Sequence, residues 1–110
     1  MTKSYSEIRL ATKARDRSLR DKVVSLEDAA ALVADGDHVA LGGCTLSRTP
    51  MAIVWALIRA GRKDLTVSRS ITSTEGDLFY GSGASKHIVT SWFSQGIVWG
   101  VSKVMRHYTE

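Results

Sequence analysis

Apolar and polar positions along this chain recur in two rhythms, a helical one and a short extended one, and the switches between them mark out the elements. Val39, Ala40 and Leu41 form a short apolar run that stops at Gly42-Gly43, the pattern of a buried parallel strand meeting its loop. Met51, Val54, Trp55 and Ile58 follow at i, i+3, i+4 and i+7, one face of a helix. Thr49 is predicted to cap that helix, Pro50 to take its first position and Gly61 to stop it. Upstream, Ser25-Leu26-Glu27-Asp28 reads as a capping box, with Val23-Val24 stapling onto the helix it opens. Leu26, Ala29, Ala30 and Val33 line that helix, and Asp35-Gly36 ends it. Residues 1–22 carry only a weak helical pattern in Ile8, Leu10, Ala11, Ala14 and Leu19.

After the polar turn Arg62-Lys63-Asp64, Leu65-Thr66-Val67 reads as a second strand, so strand, helix and strand make a parallel crossover. Residues 68–76 are hydroxyl-rich and aperiodic, which predicts a loop. Asp77-Leu78-Phe79-Tyr80 predicts a helical turn broken by Gly81-Ser82-Gly83, and residues 87–91 a third, β-branched strand. Residues 92–96 predict a third loop. A last helix is expected over residues 97–108, with Val98, Val101, Met105 and Tyr108 on one face. The pattern as a whole is α/β: an open, mostly parallel sheet with flanking helices, all three loops leaving one edge. It divides the chain into a basic N-terminal extension, residues 1–22, and the α/β part, residues 23–110. Three strands cannot supply helices to both faces of a parallel sheet. The sheet is therefore expected to be completed by a partner chain or by further sequence, and the truncated reading is the one favoured.

Charge sharpens the division. The net charge of +4 lies in residues 1–22, where Lys3, Arg9, Lys13, Arg15, Arg17, Arg20 and Lys22 face Glu7, Asp16 and Asp21; the remaining eight basic residues are balanced by eight acidic ones. A neutral body without a recognition motif argues against nucleic acid as partner, and the extension, with Tyr5 its one aromatic, offers no stacking platform. The longest apolar run, residues 51–58, is too short to span a bilayer, and no apolar stretch follows the basic residues of the N-terminus. One cysteine, Cys44, excludes an internal disulfide framework and fits a reducing cytoplasm. His38, His87 and His107 lack metal-ligand spacing, so no metal site is expected.

Candidate chemistry gathers behind the first strand. Gly42 and Gly43 let a ligand approach backbone N–H groups that side chains would shield, at the carboxyl edge where α/β sheets bind ligands. Both could equally make a tight turn. Cys44 is expected to be a buried structural thiol rather than a nucleophile, since no basic partner is evident. Thr45, Ser47 and Arg48 share the loop, and Arg48 could bind a carboxylate or a phosphate or be solvated. Glu75 is expected to be a loop acid or a helix N-terminal residue. Trp92 and Phe93 are assigned to packing at a core edge or interface.

Ser25-Leu26-Glu27-Asp28-Ala29, the run from Gly36 to Gly43, Pro50 opening an apolar helix, and Asp64-Leu65-Thr66-Val67 together resemble the start of the α subunit of family I CoA transferases. The details lie closest to the glutaconate CoA-transferase type, in which a glycine pair is followed by Thr-x-x-Arg-x-Pro, matched here by Thr45, Arg48 and Pro50. The resemblance covers residues 21–108. It implies an open α/β subunit paired with a homologous β subunit, and transfer of CoA from an acyl-CoA to a carboxylic acid through a glutamyl thioester. It also implies that the catalytic glutamate belongs to the β subunit, so no catalytic residue is expected on this chain. Ser73-Thr74-Glu75-Gly76 is similar to the β-type glutamate loop, but eight residues from Val67 to Glu75 exceed that loop's length, which leaves Glu75 a minor candidate. The resemblance further implies substrate or CoA contacts at Gly42, Gly43, Cys44, Thr45 and Arg48, with a CoA thioester as substrate and no permanently bound cofactor. Two departures stand out: Cys44 occupies a position that is often phenylalanine in the family, and the chain ends well before the family's α subunit does. An acyl-CoA hydrolase on the same scaffold, and a non-catalytic phosphate- or sugar-phosphate-binding module, are the competing readings.

Overall fold

The computed structural model describes residues 4–109; Lys3 and the rest of the first three residues of the predicted extension, and Glu110 at the end of the predicted α/β part, lie outside them. Helices α1 (Tyr5–Lys13), α2 (Leu26–Ala31), α3 (Met51–Arg59), α4 (Thr74–Gly81) and α5 (Lys103–Thr109) alternate with strands β1 (His38–Ala40), β2 (Leu65–Ser68), β3 (Ile71–Thr72), β4 (Ser85–Val89) and β5 (Trp92–Phe93). The main sheet runs β1-β2-β4 and is parallel throughout, so the chain leaves β1, β2 and β4 at one edge. Beyond that edge β3 and β5 pair again in parallel, as if the β2–β4 ladder paused at Arg69-Ser70 and resumed.

The register explains the burial. Val39, Val67 and Ile88 lie side by side on one face, and helices α2, α3 and α4 add Ala30, Val54, Ala56, Leu57 and Phe79 to the same core. His38, Thr66 and His87 form the opposite row, followed by Ala40, Ser68 and Val89, and there the β1 and β4 residues are exposed. One face of the parallel sheet is thus covered and one is bare, and β1 is a half-covered edge strand rather than the fully buried strand its apolar run predicts.

Several boundaries depart from the sequence reading for local reasons. Ser25 does cap α2, its Oγ accepting from Asp28 N–H at 3.0 Å, but Val23 and Val24 are exposed and staple nothing. The N-cap of α3 is Pro50, not Thr49, because the Thr49 hydroxyl is spent on Thr45 O at 2.9 Å. Helix α4 is longer than a turn. Gly76 makes this fit, since a Cβ there would lie 2.5 Å from Thr72 Cγ2 and 2.6 Å from Phe93 Cζ. Residues 92–93 are strand rather than loop. The last helix starts at Lys103, not near residue 97, because Gly100 N–H donates to Gly96 O at 2.9 Å, closing a turn ahead of Ser102. The Ser102 hydroxyl then accepts from Met105 N–H at 3.0 Å and donates to Asp77 Oδ1 at 2.5 Å, setting the start of α5 beside α4.

Helix α1 is held by a capping box of its own, Ser4 with Glu7, and none of its residues is buried. Deleting residues 1–20 is accordingly expected to change the unfolding free energy by less than about 1 kcal/mol, read as the urea midpoint of the remaining chain. A larger loss would mean that the extension packs on the body.

Candidate active-site loop

The glycine loop after β1 doubles back on itself. Cys44 N–H donates to Ser47 O at 3.0 Å and Ser47 N–H to Cys44 O at 2.8 Å, closing a tight turn around Thr45 and Leu46. Thr45 has φ +46° and Arg48 φ +55°, left-handed backbone that costs a non-glycine residue about 1 kcal/mol or more. Something must hold such a loop in place, and it is the side chain of Arg69.

Arg69 lies in the two-residue break between β2 and β3 and is buried. Its Nε donates to Gly42 O at 3.1 Å, its Nη1 to Thr45 O at 3.0 Å and its Nη2 to Thr49 Oγ at 3.2 Å. Nη1 also forms an ion pair with Glu75 Oε1, and both side chains have no solvent exposure. Glu75 stands in the first turn of α4, where a negative charge suits the helix dipole. Ser73 N–H donates to Glu75 Oε1 at 3.1 Å, while the Ser73 hydroxyl lies 3.1 Å from Thr45 O and 3.3 Å from Glu75 Oε2, sharing its proton between them. A charge buried this deeply needs partners at nearly every donor and acceptor, and here it has them. One guanidinium therefore joins the loop after β1, the residue before α3 and the first turn of α4. Gly43 is what makes room: its φ is +87°, and a Cβ there would meet Arg48 O at 2.5 Å and Arg69 Nη2 at 2.7 Å.

The residues singled out from sequence fall into two groups. Gly42, Gly43 and Thr45 belong to this arrangement. Cys44 and Arg48 sit on the exposed side of the same loop, and Cys44 is exposed rather than the buried thiol expected of it. Glu75 is indeed at a helix N-terminus, and its carboxylate is engaged by Arg69 and Ser73. Phe93 is buried beneath α4, and Trp92 is 40% exposed. His38, His87 and His107 are exposed on separate elements; among the described residues no three His, Cys, Asp or Glu side chains gather as a metal site. No helix of the described residues is long and apolar enough to cross a membrane. Sequence reasoning missed Arg69, Thr49 and Ser73 as a set. The one available signal was a lone arginine in an otherwise hydroxyl-rich stretch directly after a strand.

Comparison with known proteins places the fold and this loop in one family. A profile described as Coenzyme A transferase matches residues 23–100. This chain belongs to the coenzyme A transferase family. A glutaconate CoA-transferase subunit of Acidaminococcus fermentans is 37% identical over 90 residues, which are 81% of this chain and 28% of that protein. The IpdA subunit of the cholesterol ring-cleaving hydrolase of Rhodococcus jostii is 46% identical over 50 residues, 46% of this chain and 17% of that one. Among solved structures, glutaconate coenzyme A-transferase from Acidaminococcus fermentans superposes with a TM-score of 0.73 at 36% identity, over 80% of this chain and 28% of the other. The decarboxylase AibA/AibB superposes with a TM-score of 0.57 at 34% identity, over 61% of this chain and 26% of that chain. The fold is thus that of the coenzyme A transferases, and the match to the glutaconate CoA-transferase subunit spans 28% of that protein's length.

If Arg69 and Glu75 act as one unit, Arg69→Met and Glu75→Gln should each cost about 3–5 kcal/mol in urea unfolding, since each strands a buried charge or buried acceptors. Arg69→Met combined with Glu75→Leu should then cost less than the sum of Arg69→Met and Glu75→Leu measured singly. Additive losses would show that the two side chains are independent.

Proposed function

We propose that this chain is the glycine-loop portion of an α-type CoA-transferase subunit, working with a homologous β subunit to move CoA from an acyl-CoA to a carboxylic acid. The observation that supports it best is the loop 42–49 itself: it lies at the carboxyl edge of β1, inside the stretch matched to the family. In this reading the partner carries the glutamate that forms the thioester, and the site lies between the subunits. The backbone amides of the glycine loop then serve as preorganised donors to acyl oxygens. Arg48, exposed on the rim of the loop, meets a carboxylate or a phosphate of CoA, and Thr45 and exposed Cys44 shape the neighbouring wall. The CoA thioester is substrate; no permanently bound cofactor, nucleic acid or membrane is involved. A cytoplasmic setting belongs to the same reading and rests on the single cysteine.

A second reading is an acyl-CoA hydrolase subunit on the same scaffold; the 50-residue match to a hydrolase subunit supports it at the level of reaction class only, since that relative cleaves a ring rather than a thioester. The two differ only in what resolves the enzyme-bound acyl or thioester group, a carboxylate or water.

The chain should show no acyl transfer alone, and an α-type subunit that contains it should gain the activity when co-expressed with its homologous β subunit, assayed on a panel of acyl-CoAs with and without acceptor acids. Arg48→Ala in that complex is expected to raise KM for the acyl-CoA about tenfold, the loss of one charged contact. Acid-independent loss of thioester would favour the hydrolase. Turnover by this chain alone that vanishes in a Glu75→Gln variant whose urea midpoint shows it to be folded under the assay conditions would move the catalytic carboxylate onto it.

A further inference from the structure

We infer that Arg69 is a positioning residue that turns and polarises two backbone donors, Gly43 N–H and Leu46 N–H, toward the oxygens of an acyl or carboxylate group. The inference rests on the reading of the loop as the acyl site. It begins with the two carbonyls that Arg69 holds. Gly42 O belongs to the same peptide unit as Gly43 N–H, and Thr45 O to the same unit as Leu46 N–H. Every peptide bond described is trans, and in a planar trans peptide the C=O and N–H point in opposite directions. Because Gly42 O accepts from Arg69 Nε and Thr45 O from Nη1, the N–H groups of Gly43 and Leu46 are directed away from the guanidinium.

Two amides of the turn, those of Cys44 and Ser47, are committed to each other's carbonyls, and among the remaining loop amides Gly43 and Leu46 are the ones whose own peptide carbonyl Arg69 engages. Gly43 and Leu46 donate to no acceptor among the described residues. Gly43 and Leu46 are also exposed. The guanidinium therefore holds two peptide units of one short segment by their carbonyls and leaves the N–H groups of both, Gly43 and Leu46, for a ligand.

Direction is half of the effect and polarisation is the other. A carbonyl that accepts from a cation loses electron density, and the N–H of the same peptide becomes a stronger donor, by about 10–30% per hydrogen bond. Gly42 O receives one such bond. Thr45 O receives three contacts, from Arg69 Nη1, from Thr49 Oγ at 2.9 Å and from Ser73 Oγ at 3.1 Å. Glu75 holds the guanidinium at the position from which it reaches both. The ligand chemistry that suits two strengthened N–H groups, both directed away from one guanidinium, is an oxygen carrying full or developing negative charge: a carboxylate, or a thioester carbonyl under attack.

The test uses the 15N-labelled full chain and compares wild type with Arg69→Lys and Ser73→Ala by heteronuclear NMR. Arg69→Lys keeps the charge but loses the fork, so the amide protons of both Gly43 and Leu46 should move upfield while those of β2 stay in place. Ser73→Ala removes a hydroxyl from Thr45 O and from Glu75 Oε2 but none from Gly42 O, so Leu46 should move clearly more than Gly43. This second variant carries the test if Arg69→Lys does not fold. Unchanged shifts at both residues in a folded variant, or a shift spread evenly over the loop, would overturn the inference. Acetate and acetyl-CoA are then titrated into the wild type. Selective movement of Gly43 and Leu46, weakened about tenfold in apparent Kd by Arg69→Lys, is expected. Equal titration in wild type and Arg69→Lys would overturn the role of Arg69 alone. No response from either amide in the wild type would overturn the acyl-site reading, while the ligand-free shifts still judge the polarisation.

Discussion

The buried guanidinium of Arg69 is the constraint on which the carboxyl edge of the sheet depends. It satisfies carbonyls of a loop that follows β1, a hydroxyl before α3 and a carboxylate in α4, and so links three elements that the hydrophobic core touches only from below. Dispersion and burial position the helices on the sheet, but neither can fix a short loop carrying left-handed backbone at Thr45 and Arg48. Apolar side chains of the same volume can equal the stability of a buried ion pair. They cannot replace four directed N–H bonds.

The same interaction reassigns Gly43. As a sequence feature it reads as a place for a ligand to approach backbone; in the structure its missing Cβ is first of all what admits the Arg69 guanidinium and the Arg48 carbonyl. The two roles are compatible, because the face of the peptide that lacks a Cβ looks inward and the amide looks outward. Any substitution at Gly43 perturbs both at once, so the neighbours Arg69 and Ser73 separate structure from chemistry better than the glycine does.

Local physics was legible where one rule governed. The capping serine of α2, the placing of β2 and the parallel crossover follow from spacing, and the family resemblance over residues 21–108 agrees with the match over residues 23–100; the face read for α3 is right at Val54 but wrong at Trp55, which is exposed while Leu57 is buried. Legibility failed where a distant partner decided. Thr49 looks like a cap until Thr45 O and Arg69 claim its hydroxyl. Cys44 looks buried by type, yet the turn it enters faces outward. Residues 68–76 look like a plain polar loop because their hydroxyls and the Arg69–Glu75 pair find partners up to 28 residues away in sequence, and nothing periodic announces a contact of that kind. The short strands β3 and β5 were lost for the same reason, since two residues carry no pattern.

The central claim is that the loop is held, not merely present, and 15N relaxation of the wild-type chain measures that directly. With Arg69 bonded to Gly42 O and Thr45 O, order parameters across residues 42–49 should lie near about 0.85, like those of β2. Values below about 0.6 for Gly43, Cys44 and Thr45, beside a rigid β2, would show that the guanidinium does not hold the loop.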